Sequence, residues 1–311
     1  MKRPKVFFFL SAIWESWFRS KFPINPEKEF SRLSEQERQY VMDRVDYYLK
    51  IDAPFHSDFD AEIGTFKRGK GSAYYYDMKR HLANFDRHLG FSYLFGDITH
   101  VPDKPSFVKS RPIGDANENS VLLKINSHRH FRFFDDPYQY EEKQDLAVWR
   151  GNAPQPHRKL FLDKFSDHPM CDVGSVEAEN KGSAIYKPFL SPQEQMRYKF
   201  IVSLEGYDVA SNLKWVMATN SVAVMPEPHY ETWFMEGRLI PDFHYICVKP
   251  DYSDLEEKLR YFLAHPEKAK AIVANANAYV KHFRDRKMER LIFLMVLQKY
   301  FKLSQQAQAS R

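Results

Sequence analysis

Hydrophobic positions recur in two ways along this chain, at helical spacing and as short unbroken runs, and the two alternate. The opening apolar run, Val6-Phe7-Phe8-Phe9-Leu10, reads as a buried first strand leading into a turn or helix. Ser34 and Glu37 stand at capping-box spacing, and Val41, Val45 and Tyr48 then share one helical face. A loop over 53–71 precedes a helix over 76–89, with Met78, Leu82, Phe85 and Leu89 in period and Gly90 as its stop. Three strand-like runs follow at 91–95, 106–109 and 121–125, each bounded by turn residues.

Beyond a polar stretch at 134–143 the alternation is cleaner. A strand over 146–149 ends at Arg150-Gly151, a helix carries Leu160, Phe161 and Phe165, and a strand covers 170–173. Ser191-Pro192-Gln193-Glu194 combines cap, N1 proline and capping-box Glu. A strand over 200–204 leads to a helix starting near Asp208 or Ala210, and strands follow at 221–225 and 243–248. Ser253 and Glu256 cap another helix, and two helices close the chain, after Pro266 and over 288–301. The polar tail at 304–311 is expected to fray. Alternating β and α elements predict an α/β fold with a parallel sheet covered on both faces. Ligands bind such sheets beyond the carboxyl ends of the strands, which gathers Arg150, Glu205-Gly206 and the start of the next helix in one crevice.

The length of 311 residues suits one large domain or two ordinary ones, and 43% hydrophobic with 28% charged residues excludes a disordered chain. The 46 Lys and Arg against 41 Asp and Glu suit an anionic small molecule, an anionic membrane surface or nucleic acid, and choose none of them. No block of basic residues with interleaved aromatics marks a nucleic-acid groove, so nucleic acid is not an expected partner. Cys171 and Cys247 lie in no metal-ligand spacing, which fits a reduced cytoplasm, and the 12 His show no HExxH, so no metal is expected. The basic, apolar start looks like a signal peptide, but Glu15 and Arg19 interrupt it and no small-residue cleavage site follows. No segment is long and apolar enough to span a bilayer.

Four segments carry candidate chemistry. In Glu205-Gly206-Tyr207-Asp208-Val209-Ala210-Ser211-Asn212-Leu213-Lys214 a strand meets a glycine turn and a helix opening with small residues, where a phosphate can approach free N–H groups, with Lys214 adding charge. An ordinary βα turn capped by Asp208 or Ser211 accounts for the same residues. Arg150-Gly151 at a strand end offers a guanidinium fork to a diphosphate and a close backbone approach; a surface turn arginine is the plain alternative. Asp97, at the end of another strand, is a candidate general base or a turn former. Lys109-Ser110-Arg111 offers phosphate or acidic-acceptor contacts, or a solvated edge. Two further patterns are weaker. In the near P-loop from Gly64 to Gly71, glycine stands where Ser or Thr should ligate Mg²⁺, and no apolar strand precedes it. Asp58-Phe59-Asp60 is an Asp-x-Asp triplet that follows no clear strand.

The ordered set Tyr93-Leu-Phe-Gly-Asp97 with Val101-Pro102, Phe107-Val-Lys-Ser-Arg-Pro-Ile113, Asn119-Ser-Val-Leu-Leu-Lys124, Arg129-His130-Phe131, Val148-Trp-Arg-Gly151, Tyr198-Lys199-Phe200, Glu205-Gly206, Ala210-Ser211-Asn212-Leu213-Lys214-Trp215, and Pro226 with Glu231 and Trp233 resembles glycosyltransferase family 90, nearest in wording to its bacterial lipopolysaccharide branch. The resemblance runs from about 74 to 259. It implies a GT-B architecture of two Rossmann-like domains facing a central cleft: an acceptor domain over 1–140, a donor domain over 141–284, and a C-terminal helix over 285–311 packing back on the N-terminal half. It implies inverting, metal-independent transfer from a UDP-sugar to a lipopolysaccharide or other glycan acceptor, in the cytoplasm or peripherally at the inner face of the membrane. By the same resemblance Asp97 is the catalytic base. Arg150 and Gly151, together with Lys199, Gly206, Ala210, Ser211 and Asn212, bind the donor, and Glu231 holds its ribose. Relatives in animals have a second phosphate arginine just after the Ala-Ser pair; this chain has Asn212-Leu213-Lys214, so backbone N–H groups and Lys214 are the expected substitutes. The competing readings are an ATP-dependent sugar or lipid kinase, resting on the near P-loop, and a non-catalytic polysaccharide-binding protein, resting on the aromatics.

Overall fold

The structure, a computed structural model, describes residues 5–69 and 71–306. The first elements are α1 (Lys5–Lys21), α2 (Pro26–Ser31), α3 (Glu35–Tyr48), β1 (Ala61–Glu62), α4 (Ser72–Leu82), β2 (Gly90–Leu94), β3 (Ser106–Val108), β4 (Ser110–Pro112), β5 (Ser120–Leu122) and α5 (Ser127–His130). Then come β6 (Gln144–Gly151), α6 (Pro156–Phe165), β7 (Cys171–Ser175), α7 (Pro192–Gln195), β8 (Tyr198–Val202), α8 (Leu213–Val216), β9 (Val222–Met225), β10 (Tyr230–Thr232), β11 (Ile246–Cys247), α9 (Leu255–Ala264), α10 (Pro266–Lys281) and α11 (Arg286–Leu303). The chain forms two compact units: Met1–Arg129 with Tyr230–Phe234 and Phe283–Arg311, and His130–His229 with Met235–His282.

In the first unit β2, β3 and β5 pair in parallel, with Tyr93 opposite Phe107 and Phe107 opposite Val121, and β1 adds an antiparallel edge. β3 and β5 are buried along their length, which is why they read as unbroken apolar runs and not as alternation. β4 and β10 make a separate antiparallel pair. The capping box of Ser34 and Glu37 is formed at the start of α3, and α11 packs on α3, while its buried Tyr300 meets Phe107 of β3 with ring centroids 4.4 Å apart. In the second unit five parallel strands lie in the order β11-β9-β8-β6-β7. Their core joins Ala147, Trp149, Phe200, Val202 and Val224 to Phe161, Leu259 and Ile272 of the covering helices.

Several expected elements differ. The opening apolar run is helical, as part of α1, and not a strand. Five consecutive apolar residues do not reveal a period; the helix is settled by its packing on α4, where Phe9 meets Tyr76 with ring centroids 5.2 Å apart. α4 begins and ends before the expected helix, and Phe85 and Leu89 lie in the turns behind it. Gly90 is the first residue of β2, and not a helix stop: a Cβ there would meet the Phe59 ring at 2.6 Å. The helix expected from Asp208 or Ala210 starts only at Leu213 and makes a single turn. Ser253 does not cap α9; the preceding Asp254 turns its carboxylate back to the Lys249 amide. Of the strand expected over 243–248 only Ile246–Cys247 pairs, because the chain reverses at Asp242 with φ +54°. Residues 307–311 of the polar tail lie outside the described residues.

Candidate active site

At the carboxyl ends of β2 and β3 two charged side chains meet. After β2 the chain turns through Phe95 and Gly96, whose φ of +126° is a conformation glycine tolerates best, and presents Asp97. Lys109, immediately after β3, places its ammonium 2.5 Å from Asp97 Oδ1. The lysine side chain is 3% exposed and the aspartate 34%, so a buried cation holds a carboxylate whose other side reaches solvent. Ser110 Oγ donates to the Ile98 carbonyl at 3.2 Å and ties the start of β4 to the same turn. Phe95 packs against Tyr93 and Tyr74, giving the pair an aromatic flank. Sequence reasoning named Asp97 and Lys109 separately, and the fold brings them together.

Arg111 and Glu231, expected at an acceptor or phosphate contact and at the donor ribose, are instead bonded to each other inside the first unit. Opposite one another in the β4–β10 pair, they are fully buried, with Arg111 Nε 2.7 Å from Glu231 Oε1. Arg111 also donates to the carbonyls of Ser120 and Tyr47, and the Tyr47 hydroxyl donates to Glu231. The pair fastens the β10 segment to the unit.

In the second unit the carboxyl end of β6 carries Arg150 and Gly151. Four of the five guanidinium N–H groups of Arg150 are directed at protein acceptors: the carbonyls of Pro188, Trp149 and Asp172, and Asp172 Oδ1 at 2.8 Å. Burial pushes the Asp172 carboxyl up, but bonds from Tyr198, Arg150 and Lys187 outweigh it and pull it down to about 2. The expected diphosphate fork is thus the centre of an ion cluster bracing β6 against β7. Gly151 has a packing reason, since a Cβ there would lie 2.6 Å from the buried Trp149 indole. Gly151→Ala is expected to lower stability by about 1–3 kcal/mol, the usual effect of overpacking, read as a lower urea midpoint. An unchanged midpoint would mean that the glycine serves close approach to a ligand instead.

A cation that the sequence reading passed over lies at the same strand ends. Arg158, in the first turn of α6, donates to the carbonyls of Asn152, Leu204 and Glu205 at 2.8–2.9 Å, and its Nη2 lies 3.5 Å from where a Gly206 Cβ would be. His157 also meets the Glu205 carbonyl, at 2.9 Å. Helical spacing gave no hint of this role, because the partners of Arg158 are carbonyls released where β6 and β8 end. Ala210 and Ser211 follow in the turn, and Asn212 donates to the Val202 carbonyl, so its side chain closes the β8 end. Lys214 is fully buried, 2.5 Å from the equally buried Glu236, and its charge is matched within the protein. Lys199 pairs with Asp145 at the amino-terminal end of the sheet, opposite the strand ends where a donor is expected.

The two weaker patterns have local explanations. Asp60 accepts from Lys104 and from the Tyr93 amide. Contrary to expectation, α4 starts directly after Gly71, but β1, ahead of the glycines, is only two residues long and antiparallel; Lys70 lies outside the described residues. Among the described residues no three His, Cys, Asp or Glu side chains are grouped to hold a metal.

Parallel sheets with charged side chains gathered past their carboxyl ends define an α/β protein of the kind that binds substrates at strand ends. The chain belongs to glycosyl transferase family 90, whose sequence profile matches residues 128–310, and is a glycosyltransferase. It is 44% identical over 277 residues to O-glucosyltransferase LpsA of Dichelobacter nodosus, covering 89% of this chain and 87% of that one. It is 29% identical over 167 residues to human protein O-glucosyltransferase 3, covering 51% of this chain and 32% of that protein. A 99-residue match at 30% identity to uncharacterized protein 035R of invertebrate iridescent virus 3 covers 31% of this chain and 9% of that protein. These findings set aside the kinase and the non-catalytic binding protein.

Proposed function

We propose that the chain is an inverting, metal-independent transferase that moves a hexose or pentose, glucose first among them, from a UDP-sugar to a hydroxyl of a lipopolysaccharide core or another cell-surface glycan, in the cytoplasm at the inner face of the membrane. The observation that carries this reading is the Asp97–Lys109 pair at the strand ends of a chain 44% identical to an O-glucosyltransferase. That relative's name favours glucose as the sugar and an oxygen as the acceptor.

In this mechanism Asp97 Oδ1 stays on Lys109 and Oδ2 receives the acceptor's hydroxyl proton. The acceptor oxygen bonds to the anomeric carbon as the bond from that carbon to the UDP oxygen breaks, with the electron pair leaving on the diphosphate. Attack opposite the leaving group inverts the centre. The growing diphosphate charge is met at the ends of β6 and β8 by Arg158 and by the Ala210 and Ser211 amides of the turn after Gly206, whose own amide donates to the Asp208 carbonyl; these are fixed dipoles that need no reorganisation.

Thermal unfolding against UDP, UDP-sugars, GDP, CMP and ATP, with and without EDTA, tests the donor. UDP and one UDP-sugar are expected to raise the midpoint, EDTA to change nothing, and Arg158→Ala to abolish the shift; at about 100 times the dissociation constant the stabilisation is about 2.7 kcal/mol. A shift with another nucleotide alone, or one abolished by EDTA, would overturn the donor or the metal-independence respectively.

A further inference from the structure

We propose that α1 is an interfacial helix by which this chain docks on an anionic lipid surface, lying in the headgroup layer with its outer face inserted. The inference is independent of the roles given to Asp97 and Arg158.

Along α1, Phe7, Leu10, Trp14 and Trp17 recur at intervals of three, four and three residues, and with Ile13 they fill about 120° of the helix circumference. They are 62, 57, 60, 56 and 50% exposed, and Phe22 just beyond is 60% exposed. Six of the 13 large apolar residues that are exposed among the described ones thus fall within 7–22, which makes them a patch and not scatter. The opposite face is occupied: Phe8 lies 5.1 Å from the His128 ring, Phe9 meets Tyr76, and Ala12 is fully buried. The outer face therefore has no role in holding the helix on the protein.

Charge identifies the partner. Residues 1–22 hold five Lys and Arg (Lys2, Arg3, Lys5, Arg19, Lys21) against one acid, Glu15. The rest of the chain holds 41 against 40, so nearly all of the net positive charge sits in this segment. Glu15 lies off the stripe, half-exposed and 3.7 Å from Arg80, so no carboxylate of the segment interrupts the outer face. Lys21 lies 4.2 Å over the Trp17 ring, at the C-terminal end of the stripe. An aromatic stripe with tryptophans in a segment of net positive charge is the composition of a helix lying in a membrane interface, where indoles settle at headgroup depth and cations meet anionic lipid. Among the described residues no helix, α1 included, is long and apolar enough to cross a bilayer.

Flotation of the full chain with phosphatidylcholine vesicles, with and without phosphatidylglycerol, tests this. The chain is expected to float with the anionic vesicles, to bind the neutral ones weakly, and to be released by salt. Trp14→Ser with Trp17→Ser is expected to lower partitioning about tenfold or more at unchanged melting temperature, since these side chains touch solvent in the folded protein. Arg19→Glu with Lys21→Glu, which leaves the apolar stripe intact, is expected to abolish the preference for anionic vesicles. Failure of the parent chain to float, or equal binding by both double variants, would overturn the proposal. So would a dimer seen by light scattering that the tryptophan substitutions dissolve, because the face would then belong to a second copy.

Discussion

Asp97→Asn is expected to lower sugar transfer at least about 100-fold, the lower range for loss of a positioned general base, with the loss in kcat and little change in the donor's dissociation constant. The asparagine oxygen can still accept the Lys109 bond, so the turn after Gly96 keeps its shape while losing the group that takes the proton. A fall in kcat at constant KM marks an interaction made only in the transition state. The Lys109 ammonium is buried and loses the Asp97 charge, so a drop in stability is also expected, and activity is compared well below the melting temperature of the variant. Asp97→Glu, which restores the carboxylate at a slightly different reach, is expected to recover part of the rate. Transfer at the parent rate by the asparagine variant would remove Asp97 from the chemistry and leave the pair with Lys109 as a structural one.

The sequence carried the architecture better than the site. Buried strands such as β3, β5 and β9 announce themselves as apolar runs between turn residues, and the capping boxes before α3 and α7 were legible from spacing alone. Both signals are local. Length was not legible: α7 and α8 each make one turn, because what continues or ends a helix is the surface it packs on. The same distinction separates the site residues. Asp97 and Arg150 were found because strand ends are visible in sequence. That Arg150 is bound to Asp172, Lys214 to Glu236 and Arg111 to Glu231 was not, since those partners lie 22 to 120 residues away and are joined only by the fold. A charged residue at a strand end is equally a ligand contact or half of an ion pair until its partner is located. Arg158 escaped for the converse reason, as its partners are backbone carbonyls, which have no sequence signature.

The largest stability effect is expected at Glu289 on α11, where one buried carboxylate joins four segments of the first unit. Its Oε1 accepts from Arg44 of α3 at 2.5 Å, and its Oε2 from Lys124 after β5 at 2.5 Å and from the Trp233 indole at 2.8 Å. Arg44 in turn donates to the hydroxyls of Tyr40 and Tyr48, and the Tyr48 ring stacks on Trp233 with centroids 3.8 Å apart. Glu289→Ala leaves two cations facing each other without their shared anion, and removal of one partner from a buried ion pair costs about 3–5 kcal/mol. Urea unfolding followed by near-ultraviolet circular dichroism reads this as a lower midpoint; a loss under about 1 kcal/mol would mean that water enters and screens the cluster. Burial pushes the Glu289 carboxyl up, but the charges of Lys124 and Arg44 outweigh it and hold it below its ordinary value. A carboxyl depressed by folding contributes stability that is present above its unfolded value of about 4.3 and is lost as pH falls through the folded one. The parent protein is therefore expected to lose stability steeply below about pH 4. Glu289→Gln, already neutral, is expected to be less stable at pH 7 and to show a shallower fall over that acid range, so that the two curves converge. Parallel curves would place the acid sensitivity of this unit in other carboxylates and leave the cluster held together by shape and hydrogen bonding, with charge adding little.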